Sequence, residues 1–192
     1  MNYPDVHWPL PAWVSDFVAR WKQGFATQED RADFVLALAL ENVRQGTGGP
    51  FSAAVFATDA HRLVAPGVNL VTSANVSCAH AEIVALSIAQ QLAGSFDLAS
   101  CGDFELIAST APCAMCLGAV PWSGVSRLVC CARGSDAEGI GFDEGAKPIE
   151  WVEHLRERGI EVVQDVCRDK AVAVLEEYAH GGGVIYNPER SN

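Results

Sequence analysis

Hydrophobic positions along this chain switch between a helical and a strand period. Trp13, Phe17 and Trp21 recur every four residues and predict a short amphipathic helix, its aromatic stripe packed on the body or on a partner subunit. Residues 30–45 read as a longer helix, with Asp30 as N-cap and Gly46 as its stop. Gly48-Gly49-Pro50 marks a turn. Beyond it, 51–58 and 63–71 are strand-like runs around the polar Asp59-Ala60-His61-Arg62, which predicts a hairpin. Residues 79–92 read as a helix capped by Ser77, and 104–109 as a strand. Pro112 falls near the first position of the next helix, where its missing N–H costs little. The pattern continues as strand 125–132, helix 150–158, strand 160–165 and helix 168–180.

Strands interleaved with helices imply an α/β protein, a three-layer α/β/α sandwich with its sheet covered on both faces. Without repeats, low-complexity tracts or linkers, the chain reads as one domain over residues 30–192, preceded by an extension over 1–29 that holds the aromatic helix.

Composition narrows the function more than the fold. Hydrophobic residues make up 49% of the 192 and charged residues 19%, enough for a sizeable core. The net charge of −11 matters more, because so acidic a surface repels phosphate backbones. It argues against a nucleic-acid partner and favours a small, weakly charged substrate. The cysteines number seven, an odd count in a chain too long to need disulfide staples. Cys130-Cys131 in an apolar run would point to opposite faces of a strand as buried thiols. These features suggest a reducing, cytoplasmic setting. The start, Met1 to Asp5, has no signal-peptide pattern, and the longest apolar run, 34–40, is too short to span a bilayer.

Candidate chemistry gathers in two short segments. His80-Ala81-Glu82 and Pro112-Cys113-Ala114-Met115-Cys116 offer three soft-metal ligands, His80, Cys113 and Cys116, with one carboxylate to spare. Structural zinc sites close with four protein ligands, whereas catalytic sites hold three and leave the fourth place to water. Cysteines at i and i+3 share a helical face, and a helix N-terminus favours thiolates. His80 and Glu82 would lie in the first turn of their own helix. A redox Cys-x-x-Cys pair, or a structural zinc completed by Cys78 or Cys101, fits the composite less well. Asp97, Asp103 and Glu105 read as surface residues. His7, His61, His154 and His180 have no paired ligand spacing and read as structural or exposed.

H-x-E followed by P-C-x-x-C is the known signature of zinc nucleobase deaminases. On these residues the chain resembles the cytidine-deaminase-like superfamily. Within it, the chain looks like the bacterial guanine deaminase branch, some of whose members also accept the triazine ammeline. The resemblance runs from about residue 30 to 187. It includes Gly48-Gly49-Pro50-Phe51, Asn69, Cys78-Ala79-His80-Ala81-Glu82-Ile83, Trp122-Ser123-Gly124-Val125, Gly141-Phe142-Asp143-Glu144 and Gly183-Val184-Ile185-Tyr186-Asn187.

The resemblance implies a central mixed five-stranded sheet. It also implies Zn2+ on His80, Cys113 and Cys116, with Glu82 moving protons while zinc-bound hydroxide attacks guanine, giving xanthine and ammonia. Glu144 would be a second catalytic carboxylate; Asp stands there in some relatives, so its longer reach bears on substrate choice. Asn69, Phe51, Ala81, Phe142 and Asp143 would contact the base, and the region near Tyr186 would help close the pocket. A homodimer is implied, with C-terminal segments exchanged between subunits. Other readings are deamination of a different small heterocycle or nucleoside (cytosine, guanosine), a tRNA adenosine deaminase, which the acidic charge disfavours, and a silent zinc scaffold, which has no need of Glu82.

Overall fold

The structure, a computed structural model, describes residue 3 and residues 5–187; Met1, Asn2 and Pro4 of the start read above lie outside the described residues. The aromatic stripe forms helix α1 (Ala12–Arg20), and α2 (Gln28–Arg44) follows. Strands β1 (Ser52–Ala57) and β2 (Arg62–Val68) make the expected hairpin, after which comes the short α3 (Val71–Ala74). Next come α4 (Ala81–Ala93), β3 (Phe104–Thr110), α5 (Ala114–Ser123) and β4 (Arg127–Ala132). The chain finishes with α6 (Gly134–Gly139), α7 (Trp151–Glu157), β5 (Glu161–Val163) and α8 (Arg168–His180).

The five strands form one mixed sheet in the order β2-β1-β3-β4-β5. β1 is antiparallel to both neighbours, while β3, β4 and β5 run parallel. Side chains alternate across it as strand geometry requires. Ala54, Phe56, Ile107, Val129 and Cys131 face a core shared with Val14 of α1, Phe34 and Leu38 of α2 and Leu175 of α8. Ala53, Val55, Leu106, Leu128 and Cys130 face a second core with Ala85 of α4, Val120 of α5 and Trp151 of α7. The adjacent thiols therefore divide between the two layers, and the three-layer α/β/α sandwich stands. No helix among the described residues is long and apolar enough to cross a membrane.

The N-terminal aromatics are part of the body. Phe17, Trp21 and Phe25 lie with ring centroids 5.8, 5.3 and 5.3 Å from the wholly buried Phe34. The N-cap of α2 is Thr27, not Asp30. Thr27 Oγ1 accepts from the Asp30 amide at 3.0 Å while the Asp30 carboxylate accepts from the Thr27 amide at 2.9 Å, a capping box with Asp30 three residues inside.

Glu105 corrects a second expectation. It is 1% exposed, because β3 is central and covered on both faces. Its Oε1 lies 2.5 Å from Arg31 Nε, off the hydrogen-bond axis, as an ion pair, and Arg127 Nη1 sits 3.4 Å from Oε2. Arg31 is itself buried and donates from Nη1 to the Phe25 carbonyl at 2.9 Å. Asp103 is on the surface as expected, and Asp97 is half-buried.

One close approach fixes the helix that carries half of the candidate chemistry. A Cβ on Gly67 of β2 would lie 2.3 Å from the Ala81 carbonyl oxygen and 2.6 Å from the Ala85 amide nitrogen. The first turn of α4 thus rests directly on strand backbone. Gly67→Ala is expected to overpack this contact, destabilise the fold by roughly 1–3 kcal/mol and lower zinc affinity by displacing His80. Denaturant unfolding and a competitive zinc titration read the two effects.

Candidate active site

Both segments of candidate chemistry emerge at helix starts. His80 is the N-cap of α4, extended at ψ 154°, and Cys113 is the N-cap of α5, extended at ψ 173°. Each helix therefore begins later than its sequence pattern indicates, and Ser77 and Pro112 lie ahead of the caps. The cause for α4 is the turn before it: Ala79 N–H bonds the Val76 carbonyl and Leu70 N–H bonds the Ala79 carbonyl. For α5, the Ala111 amide bonds the Ala132 carbonyl and prolongs the extended β3 run. Neither cap side chain makes the usual capping hydrogen bond of Ser, Thr, Asp or Asn. Each turns toward the other.

His80 Nδ1 lies 3.5 Å from the sulfur of Cys113 and 3.5 Å from that of Cys116. The three donor atoms all lie within 4.8 Å of one another. With Zn–S near 2.3 Å and Zn–N near 2.0–2.1 Å, a tetrahedral zinc holds a sulfur and a nitrogen about 3.6 Å apart. The separations and the soft donor set both fit zinc. The Cys113 thiol is pulled down to about 4, chiefly by a hydrogen bond from Cys116 and, against burial, by His80. Cys116 is pushed far up by the same bond and by burial. Zinc binds thiolates, so its binding would release the proton that remains on these sulfurs. Burial disfavours the His80 cation, but hydrogen bonding to Cys113 and the nearby Glu82, Cys113 and Glu144 charges outweigh it and raise its pKa.

Glu82 sits one residue into α4, 8% exposed, outside the three-donor set yet on the wall of the adjoining cavity. Burial and then the Cys113 charge hold its pKa above the usual carboxylate range. The cavity measures about 140 Å³. It opens beyond the C-terminal end of β3, the usual ligand-binding edge of an open α/β sheet.

Phe51, Phe142, Asp143 and Glu144 line the cavity as expected, together with His80, Glu82 and Cys113. The Phe142 ring lies 4.9 Å from those of both Phe51 and Tyr186, forming an aromatic wall. Asn187 ties the C-terminal segment to this wall: its Nδ2 donates to the Gly141 carbonyl at 2.8 Å and its Oδ1 accepts from the Asp143 amide at 2.9 Å. Tyr186 and Asn187 of the same chain thus close the cavity. The Glu144 backbone carbonyl accepts from the Ala114 amide at 2.9 Å, joining this loop to the start of α5. Burial lifts the Glu144 carboxyl to about 8, opposed by Lys147 and reinforced by Cys113 and Glu82.

Ala81 and Asn69, also expected to contact the base, do not line the open cavity. Ala81 is wholly buried in the core beneath α4 and is absent from the cavity wall, because its side chain turns toward the sheet. Asn69 is wholly buried just behind the wall. Its Oδ1 accepts from the Gly49 and Val71 amides at 3.3 and 3.2 Å, and its Nδ2 has no partner. Asn42 holds the Asn69 and Gly49 carbonyls at 3.0 and 2.9 Å. A Cβ on Gly48 would stand 1.9 Å from the Asn69 carbonyl oxygen, so the Gly48-Gly49-Pro50 turn needs glycine there. Ser109 and Thr110 also line the cavity, and Thr110 Oγ1 is buried without a partner. Sequence reasoning passed over them; their place at the end of a strand leading into Pro-Cys-x-x-Cys was the available signal.

Comparison with known proteins agrees with this geometry. Residues 28–132 match the family model of the cytidine and deoxycytidylate deaminase zinc-binding region. Guanine deaminase of Bacillus subtilis is 38% identical over 109 residues, which is 57% of this chain and 67% of that protein. A solved structure of NE0047 with 2,6-diaminopurine is 45% identical with a TM-score of 0.88, covering 95% of this chain and 97% of that one. A solved guanine deaminase from Nitrosomonas europaea is 42% identical with a TM-score of 0.87, covering 94% and 99%. Fold, donor set and family match agree, and the chain belongs to the cytidine and deoxycytidylate deaminase zinc-binding family.

Proposed function

We propose that this protein hydrolyses guanine to xanthine and ammonia. The observation that carries the reading is Glu82, a buried carboxylate left outside a three-ligand zinc set and facing a small cavity. Similarity to guanine deaminases of two organisms supports guanine as the base.

His80, Cys113 and Cys116 would hold zinc. When bound, zinc supplies a water whose pKa is lowered toward ~7. Glu82 would take a proton from the attacking water as the water oxygen bonds to C2 of guanine, and deliver it to the ring nitrogen. Glu82 then takes the proton of the new C2 hydroxyl and, aided by Glu144, passes it to the exocyclic nitrogen; the C2–N bond breaks, the C2 carbonyl forms and ammonia leaves. The raised Glu82 and Glu144 pKa values suit carboxyls that give protons back. Phe51 and Phe142 would pack against the ring, and Asp143 would stand at its edge. The unpartnered Asn69 Nδ2 and Thr110 Oγ1 would serve polar atoms of the base, since such buried groups need partners.

A homodimer is part of this reading. Helix α5 is apolar around its circumference, yet Trp122 is 84% exposed and Met115 is also exposed. Exchange of C-terminal segments is not required, because the chain's own Tyr186 and Asn187 close its cavity. The family region starts at residue 28, in support of a deaminase domain that begins near residue 30 after an extension over 1–29. Seven free cysteines support a reducing, cytoplasmic location.

The test is ammonia release by zinc-loaded protein from guanine, ammeline, guanosine, adenine, cytosine and cytidine. Guanine is expected to give the highest kcat/KM, with adenine and cytosine at least about 100-fold lower, because buried polar groups matched to one base reject another. Equal or faster turnover of cytidine or adenine would overturn the choice of base.

A further inference from the structure

Lys147 sits in the loop between α6 and α7, with its side chain 15% exposed. Its Nζ donates to the Pro112 carbonyl at 3.0 Å, beside the Cys113 ligand. The same nitrogen stands 5.2 Å from the centroid of the Trp151 ring, within cation–π range. It also lies 3.9 Å from Glu144 Oε2, close enough for charge attraction and too far for a hydrogen bond. That oxygen is buried and has no hydrogen-bond partner. The start of α6 completes the enclosure: a Cβ on Gly134 would stand 3.1 Å from Lys147 Nζ and 3.3 Å from Glu144 Oε2.

We infer that Lys147 is a positioning residue that holds the Glu144 carboxylate in a fixed relation to the Pro112–Cys113 corner, an assignment that rests on the deaminase reading above. A largely buried ammonium settles where its partners are, because an unpaired buried charge is costly. Here the partners are one carbonyl, one aromatic face and one carboxylate; Glu144 and Trp151 flank Lys147 three residues before and four after it, and Pro112 is distant in sequence. The charge balances Glu144 at a distance and leaves Oε2 free for a substrate nitrogen. Without Lys147, Glu144 loses its countercharge and the corner loses its tether. Glu144 would then sit off the geometry needed to pass a proton.

The test is a double-mutant cycle in kcat and KM with zinc-loaded wild type, Lys147→Met, Glu144→Gln and the double variant. Lys147→Met is expected to lose roughly 10–100-fold in kcat with little change in KM, since a displacement near 1 Å can cost about 100-fold. The double variant should be no slower than Glu144→Gln alone, because residues that act as a unit are not additive. Lys147→Arg, which keeps the cation, should restore much of the rate. Should Lys147→Met fail to fold, Gly134→Ala keeps the lysine and crowds the pair: it should slow the wild type and leave Glu144→Gln unaffected. Losses that multiply, or a Lys147→Met variant at the wild-type rate, overturn the inference while the deaminase reading stands. A zinc-loaded wild type that releases no ammonia from guanine overturns both.

Discussion

Glu82→Gln is expected to keep one zinc per chain and to lose at least about 10²–10⁴-fold in kcat, the usual contribution of a general acid–base group. Glutamine has the shape of glutamate and fits the same buried place on α4. The donor atoms of His80, Cys113 and Cys116 are untouched, so the metal stays. What is lost is the capacity to take a proton and give it back. Steady-state kinetics, metal analysis and thermal unfolding on one preparation separate these effects. Near-normal turnover with zinc bound would remove Glu82 from its role.

The second large effect is on stability, away from the cavity. Glu105→Ala is expected to cost roughly 3–5 kcal/mol, because it leaves the buried Arg31 without its countercharge. Glu105 lies near the start of β3, and the cavity lies past its other end, about 15 Å away at the usual rise per residue. The kcat of the remaining folded molecules should therefore hold. Replacing both partners, Arg31→Met with Glu105→Leu, should recover most of the loss, since an apolar pair of similar volume is often as stable as a buried ion pair. Urea unfolding of the single and double variants measures both. A Glu105→Ala cost under about 1 kcal/mol would match a surface residue and contradict the burial.

Residue chemistry was more legible in the sequence than residue placement. The donor set and Glu82 stood out because their types and spacing belong to one ion and one proton carrier. Strands β1, β3 and β4 were legible because their buried, largely apolar runs are long, and Cys130-Cys131 divided between faces as a pleat requires. Helix α8 runs over Arg168–His180, the span its pattern predicts. The starts of α4 and α5 were misplaced for a chemical reason. Their caps are His80 and Cys113, residue types that capping preferences do not favour, so local rules fail where the site overrides them. Glu105 was misread because charge suggests surface, whereas its strand is central and its partner, Arg31, is distant in sequence. α3 and α6, at four and six residues, are too short for a periodic signal. Ala81 and Asn69 turn on side-chain direction, which follows from how α4 and the Gly48 turn pack.

The most direct measurement is the reaction of guanine with zinc-loaded protein in water enriched in oxygen-18. The expected result is one ammonia per xanthine, with one labelled oxygen at C2, lost on chelation and regained with added zinc. Zinc-replete protein that forms no xanthine, or forms xanthine without the label, would contradict hydrolytic deamination at this site.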